Sequence, residues 1–261
     1  MTRASAAWSA AQYLKFEDER TRPARELLAQ VPLEAARLVV DLGCGPATST
    51  ALLAERFPAA RVVGVDSDAD MLAAARKRLP KAEFVAADIA TWTPEPGTDL
   101  LYGNAVFQWV PDHLATLARL FDALPTGGVL AVQMPDNLGE PAQTLMRDAA
   151  RAGPWRDALE PATRSRDALH TVGEYYDRLI GAAARVDIWH VHYQHKMADA
   201  AAIVEWFKGS SLRPFLDPLD GPTRAAFLEE YESRLARAYP KRADGSVLLR
   251  FPRLFVVAVR R

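Results

Sequence analysis

A glycine-rich turn between an apolar run and a helical pattern is the part of this sequence best suited to chemistry. Residues 39–57 read VVDLGCGPATSTALLAERF, in which the apolar run stops at Asp41 and is followed by Gly43, Cys44 and Gly45. A helix that starts directly after a strand presents unpaired backbone N–H groups and a partial positive charge. Because glycine lets the backbone approach a ligand closely, the spacing predicts a cofactor-binding loop.

Two classes of cofactor bind such a turn after the first strand of a doubly wound sheet, namely dinucleotides and S-adenosylmethionine. A dinucleotide loop, G-x-G-x-x-G, would carry a third glycine where this chain has Thr48. The spacing of Asp41 and Gly43 instead resembles the D-x-G-x-G-x-G loop of class I S-adenosylmethionine-dependent methyltransferases. That resemblance implies S-adenosylmethionine as the cofactor, with Asp41 organising the loop and attracting the cationic methionine end.

The loop departs from that family at Ala47, where glycine is usual. An alanine with positive φ costs about 1–2 kcal/mol, whereas helical φ/ψ angles would accommodate it without strain. A glycine turn by itself is also compatible with a strand–helix connection that holds no ligand. The residues after the neighbouring strands therefore have to separate these alternatives.

Three further loops carry residues that the same resemblance assigns to the cofactor. RVVGVD ends in Asp66, followed by Ser67, and a carboxylate there can accept both ribose hydroxyls. Asp66 is alternatively the N-cap of the next helix, a role that Asp68 also fits. In AADIATW the resemblance places Asp88 at the adenine amino group and Ile89 against the adenine ring.

The fourth loop, NAVFQWVPD, places Asn104 beside the methionyl part of the cofactor and Trp109 at the wall of the site. Core packing is the alternative role for this tryptophan. The resemblance implies that all four loops lie at one edge of a single sheet. We therefore expect them to converge on one S-adenosylmethionine molecule.

The alternation of apolar runs and amphipathic stretches supports this arrangement, since it is typical of βα units around a parallel sheet. We predict strands at 38–41, 61–65, 83–86, 99–102 and 128–133, and helices at 48–57, 68–79 and 112–124, the last opened by Pro111 and Asp112. A helix is expected at 174–184, and strands at 185–197 and 247–259 are expected to pair.

These elements predict a single α/β domain over residues 1–261. It is expected to be Rossmann-like and doubly wound, with a mostly parallel seven-stranded sheet, an antiparallel last strand and a helical cap. Residues 36–135 form the predicted cofactor-binding core. The cap is assigned to residues 1–30 and to helical insertions at 139–170 and 198–240.

The amino-acid composition limits the possible binding partners and the cellular location of the protein. The chain has 261 residues, 49% of them hydrophobic, and a formal net charge of −1. This balance gives no overall positive field for nucleic acid or anionic membranes, so we expect neither partner. The single cysteine, Cys44, and an N-terminus without a signal-peptide pattern lead us to expect a cytoplasmic protein. Nothing in the sequence fixes the oligomeric state.

Several longer segments resemble one family, the trans-aconitate 2-methyltransferases. They are WSAAQYLKFEDERTRPA, VQMPDN, VDIW with the following YQHKM, LRPFL and FPRLFVVA. The resemblance implies esterification of one carboxylate of trans-aconitate to a monomethyl ester by direct in-line methyl transfer. A carboxylic acid with a pKa of about 4 is ionised at neutral pH, so no general base is required and no catalytic residue is assigned.

Trans-aconitate has three carboxylates, and the two that do not react need cations or several hydrogen-bond donors if they are buried. Arginines in the resembling segments are the candidates, although any of them is alternatively a solvated surface charge: Arg20, Arg22, Arg213 and Arg253. Supporting hydrogen-bond candidates are Tyr13, Gln133, Tyr176 and His195. An arginine against the reacting carboxylate would reduce its nucleophilicity, so these donors are expected to bind the other two.

Other readings of the sequence remain open. One alternative is a methyltransferase that acts on another small carboxylate or on a malonyl thioester of a carrier protein. The other two are a non-catalytic S-adenosylmethionine-binding module and a dehydrogenase. We expect no metal site at His190, His192 and His195, because the first two share a strand face and the third points away. Cys44 is expected to pack at the helix start and not to act as a nucleophile.

Overall fold

A seven-stranded sheet in the order β3-β2-β1-β4-β5-β7-β6 organises the computed structural model, which describes residues 17–261. Its strands are β1 Leu38–Leu42, β2 Arg61–Asp66, β3 Glu83–Ala86, β4 Leu100–Asn104, β5 Val129–Pro135, β6 Ala183–Met197 and β7 Val247–Arg260. β1 to β5 pair in parallel, and β7 runs antiparallel to both β5 and β6. The predicted Rossmann-like sheet with an antiparallel last strand is confirmed.

The central strands are buried on both faces, as expected for a parallel sheet covered by helices. All residues of β1 and β5 are buried. Alternate side chains enter different cores: Val39 and Val129 contribute to one hydrophobic cluster, and Val40 and Leu130 to the other. The continuous apolar runs that predicted these strands therefore reflect burial on two sides.

The helices of residues 17–261 alternate with the strands or form insertions. They are α1 Glu17–Ala29, α2 Thr48–Arg56, α3 Ala69–Arg78, α4 His113–Asp122, α5 Pro141–Ala152, α6 Arg156–Thr163, α7 Val172–Ile180, α8 Ala200–Lys208, α9 Arg213–Leu216 and α10 Gly221–Ala238. A 3-10 turn, Phe107–Trp109, precedes α4. None of these helices is long and apolar enough to cross a membrane.

Several predicted boundaries differ from the structure by one or more residues, and two of the differences have identifiable reasons. The helix expected at 174–184 ends at Ile180, because the chain from Ala183 onwards pairs with β7 and the carbonyl of Ala182 accepts hydrogen bonds from Arg260 and Arg261. The helix expected from Asp112 begins at His113. Asp112 has a φ of 45° and its side chain makes no capping hydrogen bond.

The two helical insertions pack on each other. The hydroxyl of Tyr231 in α10 donates to the carbonyl of Ala142 in α5 at 2.9 Å. Trp155, which precedes α6, lies edge-on to Phe227 of α10 with ring centres 5.6 Å apart. Residues of the two segments thus form one helical layer. Whether this layer closes over a substrate, as the sequence suggests, stays a prediction.

The structure resolves the conformation of Ala47, which directly precedes α2. Its φ of 65° and ψ of 29° are left-handed, so the favourable helical alternative considered from the sequence is wrong. The Cβ of Ala47 is fully buried in this conformation. A left-handed alanine costs about 1–2 kcal/mol, which the glycine usual in the related loops would avoid.

We therefore predict that A47G raises the free energy of unfolding by up to about 1 kcal/mol, the relief of strain exceeding the added unfolded-state entropy of about 0.4–1 kcal/mol. The measurement is denaturant unfolding. A51G, in the middle of the same helix α2, is the matched control and should lower stability by about 0.5–1 kcal/mol. Equal destabilisation by both substitutions would contradict the assignment of strain to Ala47.

Candidate active site at the carboxyl edge of the sheet

The glycine loop is fixed by hydrogen bonds to the neighbouring strand β2. The N–H groups of Gly43 and Cys44 donate to the carbonyl of Val65 at 2.8 and 3.1 Å. Gly43 has a φ of 66°, and a Cβ on it would overlap the side chain of Val106. Gly45 has a φ of 52°, and no atom lies within 4 Å of the place where its Cβ would be. The positive φ favours glycine at both positions, and position 45 in addition leaves open space beside the backbone.

Asp41 holds the start of α2. The side chain is fully buried and accepts hydrogen bonds from the hydroxyls of Ser49 at 2.8 Å and Thr50 at 2.7 Å. Burial raises the pKa of Asp41 to about 7, although the two hydroxyl donors oppose this effect. The contacts fit the predicted organising role of Asp41.

Cys44 is also buried, with its sulfur close to Gly64 of β2. Burial and the nearby Asp41 and Asp66 raise the pKa of the thiol far above its ordinary value. The thiol is therefore protonated at neutral pH and a poor nucleophile.

A cavity of about 200 Å³ lies at the end of the glycine loop. Its lining residues come from the ends of β1, β2 and β4 and from the segments that follow them: Gly43, Gly45, Pro46, Asp66, Ser67, Asp68, Met71, Asn104, Ala105, Val106 and Trp109. Six of the predicted cofactor residues are among them, namely Gly43, Gly45, Asp66, Ser67, Asn104 and Trp109. Sequence reasoning missed Pro46, Met71, Ala105 and Val106, whose apolar character carries no specific signal.

Asp66 connects the two loops on either side of this cavity. One carboxylate oxygen accepts from the N–H of Gly45 at 2.8 Å and the other from the N–H of Asp68 at 2.9 Å. Asp68, not Asp66, is the N-cap of α3, since its side chain accepts from the N–H groups of Asp70 and Met71. A carboxylate has about four acceptor positions, so Asp66 retains capacity for hydroxyl donors of a ligand.

The remaining predicted cofactor residues lie outside the lining of this cavity. Asp88 is exposed and accepts a hydrogen bond from the N–H of Ala90 at 2.9 Å. Ile89 is 6% exposed and packs in the hydrophobic core. The segment starts beside β2, because the N–H of Ala87 donates to the carbonyl of Asp66. Asp41, Cys44, Asp88 and Ile89 therefore support or flank the cavity in this structure.

A second cavity, of about 70 Å³, adjoins the first and shares Asn104, Ala105 and Trp109 with it. Its other lining residues come from the 3-10 turn, β5 and the segment after it, β7 and the helical insertions: Gln108, Pro135, Asn137, Arg166, Trp206, Ser210, Ser211, Phe251 and Arg253. Two larger grooves, of about 550 and 560 Å³, lie between α5 and α10 and between α1 and α2. Neither groove includes a residue from the ends of the strands.

Arg253 is one of two cations that line the second cavity. It is only 4% exposed and its guanidinium lies 4.9 Å from the ring centre of Phe251. Nη1 donates to Oε1 of Gln133 at 3.0 Å, and the amide nitrogen of Gln133 donates to Oδ1 of Asn104. This chain of hydrogen bonds connects the second cavity with the first. The strand register explains it, since Gln133 of β5 is paired with Asn104 of β4.

Arg166, which the sequence did not single out, lines the same cavity. Nη1 donates to Oδ1 of Asn137 at 2.9 Å, Nη2 donates to the carbonyl of Pro135, and the guanidinium lies 5.8 Å from the ring centre of Trp109. Among residues 17–261 it forms no ion pair. Burial lowers its pKa to about 10, so it is still a cation at neutral pH.

His195 lies next to the second cavity without lining it. The ring is 7% exposed and packs 4.7 Å from the ring centre of Trp206. Burial, with the nearby cations Arg253 and Arg22, lowers the pKa of His195 to about 4, so the ring is neutral at physiological pH. His190 and His192 are exposed on the opposite face of β6. The part of the chain that the structure describes contains no cluster of metal-binding side chains.

The other predicted substrate residues are not brought to the second cavity. Arg22 is largely exposed and pairs with Glu26 at 2.7 Å. Tyr176 is 45% exposed, whereas its neighbour Tyr175 is buried and hydrogen-bonded to His113. Arg213 begins α9 and lines neither cavity. Tyr13 and the side chain of Arg20 lie outside the described residues.

Comparisons with solved structures agree with the fold. The YcgJ protein from Bacillus subtilis superposes with a TM-score of 0.60 at 11% identity, covering 92% of this chain and 98% of that one. Phosphoethanolamine N-methyltransferase 2 from Haemonchus contortus, in complex with S-adenosyl-L-methionine, gives 0.54 at 17% identity, covering 92% of this chain and 52% of that one. At these identities the likeness shows the fold alone.

Sequence comparisons are more specific. A family model described as a methyltransferase domain matches residues 39–128. A protein named trans-aconitate 2-methyltransferase from Rhodopseudomonas palustris (strain BisB5) is 61% identical over 97% of this chain and 99% of the relative. Its namesake from Rhizobium leguminosarum bv. trifolii (strain WSM2304) is 60% identical with the same coverage. With the cofactor-type loop and the arginine-lined cavity already in place, this near full-length identity shows that the chain belongs to the trans-aconitate 2-methyltransferase family.

Proposed function

We propose that this protein transfers the methyl group of S-adenosylmethionine to a carboxylate of trans-aconitate, giving the monomethyl ester and S-adenosylhomocysteine. The observation that carries the proposal is the buried Arg253 in a cavity that adjoins the glycine-loop cavity. A cation there is suited to a substrate anion placed next to a cofactor. The names of the relatives support trans-aconitate as that anion.

The first cavity fits S-adenosylmethionine by its donors and acceptors. Asp66 keeps acceptor capacity for the ribose hydroxyls, and the open space beside Gly45 leaves room for a ligand against the backbone. Asn104 and Trp109 belong to both cavities, so they would face the methionyl end. Asp88 and Ile89 remain the proposed contacts of the adenine. When bound, the cofactor supplies a methyl group on a positively charged sulfur.

The protein's own contribution is positioning and exclusion of water. The reacting carboxylate is ionised at neutral pH, so it needs no residue to remove a proton. Arg253 would bind a non-reacting carboxylate, and Gln133 fixes the orientation of its guanidinium. Trp206 and Phe251 give the second cavity apolar walls. An anion and a cation that lose their charges on reaction benefit from such a water-poor, aligned setting.

The same chemistry leads us to propose a cytoplasmic protein that acts on a small polyacid without a nucleic-acid or membrane partner. The net charge of −1 supports this view, because the cations of the site are local. The malonyl-thioester, non-catalytic and dehydrogenase alternatives have no residue in the two cavities that specifically favours them.

The direct test is product analysis. Protein incubated with methyl-labelled S-adenosylmethionine and trans-aconitate should form a base-labile monomethyl ester, identified by mass spectrometry. Cis-aconitate, isocitrate, citrate and a malonyl carrier thioester should react more slowly. A preference for the malonyl thioester, or tight cofactor binding without methylation of any acid, would overturn the proposal in favour of one of the alternatives.

Replacing Arg253 tests the substrate contact. R253M should lower kcat/KM for trans-aconitate by about 10- to 100-fold, mainly through KM, because a hydrogen bond to a charged group is lost. R250M is the matched control, since Arg250 lies on the same strand but is exposed and contacts Glu140. Unchanged kinetics in R253M, with S-adenosylhomocysteine affinity intact, would rule out Arg253 as a substrate ligand.

The absence of a general base predicts a particular pH profile. At saturating substrate and cofactor, kcat should vary by less than about twofold from pH 6 to 9 and fall only as the reacting carboxylate protonates near pH 4. His195 does not titrate in that window, because its pKa is lowered to about 4. Asp41 lines neither cavity, so its titration near pH 7 should affect cofactor affinity and not the saturated rate. A tenfold fall in kcat between pH 8 and 6 would indicate a catalytic base.

A further inference from the structure

A third cavity, of about 20 Å³, lies beyond Arg166. It shares Trp109, Arg166 and Ser211 with the second cavity, but only Trp109 with the glycine-loop cavity. The second cavity therefore lies between the glycine-loop cavity and the third cavity. A space of this size holds about one water molecule, so it suits the end group of a larger ligand and not a separate molecule.

Two arginines face this third cavity. Arg147 of α5 and Arg166 both line it, and the remaining walls are Leu138, Gln143, Ala162, Thr163, Ser165 and Phe215 with Trp109 and Ser211. Nη2 of Arg147 donates to the carbonyl of Leu138 at 2.8 Å. Nη1 of Arg147 and Nε of Arg166 are buried and have no hydrogen-bond partner among the described residues. Donor groups on both cations therefore remain for a ligand.

Within the described residues the charge of this pair is balanced only in part, by the more distant carboxylates of Asp136 and Asp148. Within residues 17–261 neither arginine forms an ion pair with a carboxylate, and the hydrogen-bond acceptors they do have are neutral oxygens of Leu138, Asn137 and Pro135. Burial lowers the pKa of both groups. At Arg166 the charge of Asp136 opposes this effect, and the charge of Arg147 adds to it. Two neighbouring buried cations without a direct carboxylate partner are unfavourable, and an anion between them would relieve this cost.

We propose that the third cavity binds a non-reacting carboxylate of the substrate between Arg147 and Arg166, so that Arg147 selects tricarboxylates over dicarboxylates. This assignment rests on the proposed methyltransferase function and extends it to a second substrate anion, separate from the one at Arg253. The guanidinium pair offers a planar, multi-donor partner for a carboxylate. Leu138, Ala162 and Phe215 give this cavity apolar walls beside the two arginines.

Arg147 is the better position for a test, because it donates one hydrogen bond to the protein, to Leu138, whereas Arg166 donates two, to Asn137 and Pro135. R147M should raise KM for trans-aconitate by about 10- to 100-fold and change kcat by less than about threefold. R147K should recover part of the loss. R151M is the matched control on the same helix α5, where Arg151 is exposed and lies 3.8 Å from Asp148. It should behave as the wild type.

Substrate analogues separate a binding role from a structural one. Cis-glutaconate, mesaconate and itaconate each lack a different one of the three carboxylates of trans-aconitate. Among the analogues that keep the reacting carboxylate, the one that lacks the carboxylate bound at Arg147 should react equally with wild type and R147M, while the other should lose as much as trans-aconitate. An equal loss with trans-aconitate and every reactive analogue, or no loss with any of them, would overturn the proposal. Melting temperature and S-adenosylhomocysteine affinity should be unchanged in R147M.

Calorimetric titration of trans-aconitate into the S-adenosylhomocysteine complex separates this proposal from the proposed function. Binding without methylation in the wild type would overturn the methyltransferase proposal alone, and weaker binding by R147M would still support the third cavity. Methylation by the wild type with equal trans-aconitate affinity in R147M would overturn only the third-cavity proposal. No detectable binding to the wild type would overturn both.

Discussion

The interaction on which this site depends is the burial of the Arg253 cation beside the ends of the parallel strands. Burying a charged group is costly unless polar groups surround it. Gln133 accepts a hydrogen bond from the guanidinium and donates one to Asn104, which lines the glycine-loop cavity. The antiparallel pairing of β7 with β5 brings Arg253 opposite Pro135, at the carboxyl end of the sheet. The last strand thus delivers a cation to an edge otherwise formed by parallel strands.

Six residues of the glycine-loop cavity, the proposed cofactor site, could be named from the sequence, because strand ends and glycines fix its position locally. Gly43 and Asp66 occupy positions where backbone geometry leaves little choice. The contacts of Asp41 were less predictable, because α2 turns its hydroxyls inward and buries the carboxylate. Tyr176 was predicted to bind the substrate, but the packing of α7 places it on the surface. The buried face of α7 contains Tyr175 and Leu179, four residues apart, and leaves Tyr176 in solvent.

The substrate side could be predicted only in part. Arg253 stands out in the sequence, because a charged residue within a long apolar strand needs a partner. Arg147 and Arg166 have no such signal. They lie in insertion segments that carry other charged residues, and only the tertiary fold brings both of them to a cavity that Trp109 also lines. Such contacts between distant segments follow from tertiary packing and leave no period or spacing in the sequence.

The most direct measurement is a crystal structure with S-adenosylhomocysteine and trans-aconitate both bound. We expect the homocysteine sulfur in the cavity lined by Asn104 and Trp109, and one non-reacting carboxylate within hydrogen-bonding distance of Arg253. The reacting carboxylate should point towards the homocysteine sulfur and make no contact with an arginine. Trans-aconitate bound in the groove between α5 and α10, or with its sulfur-facing carboxylate paired to Arg253, would contradict this account.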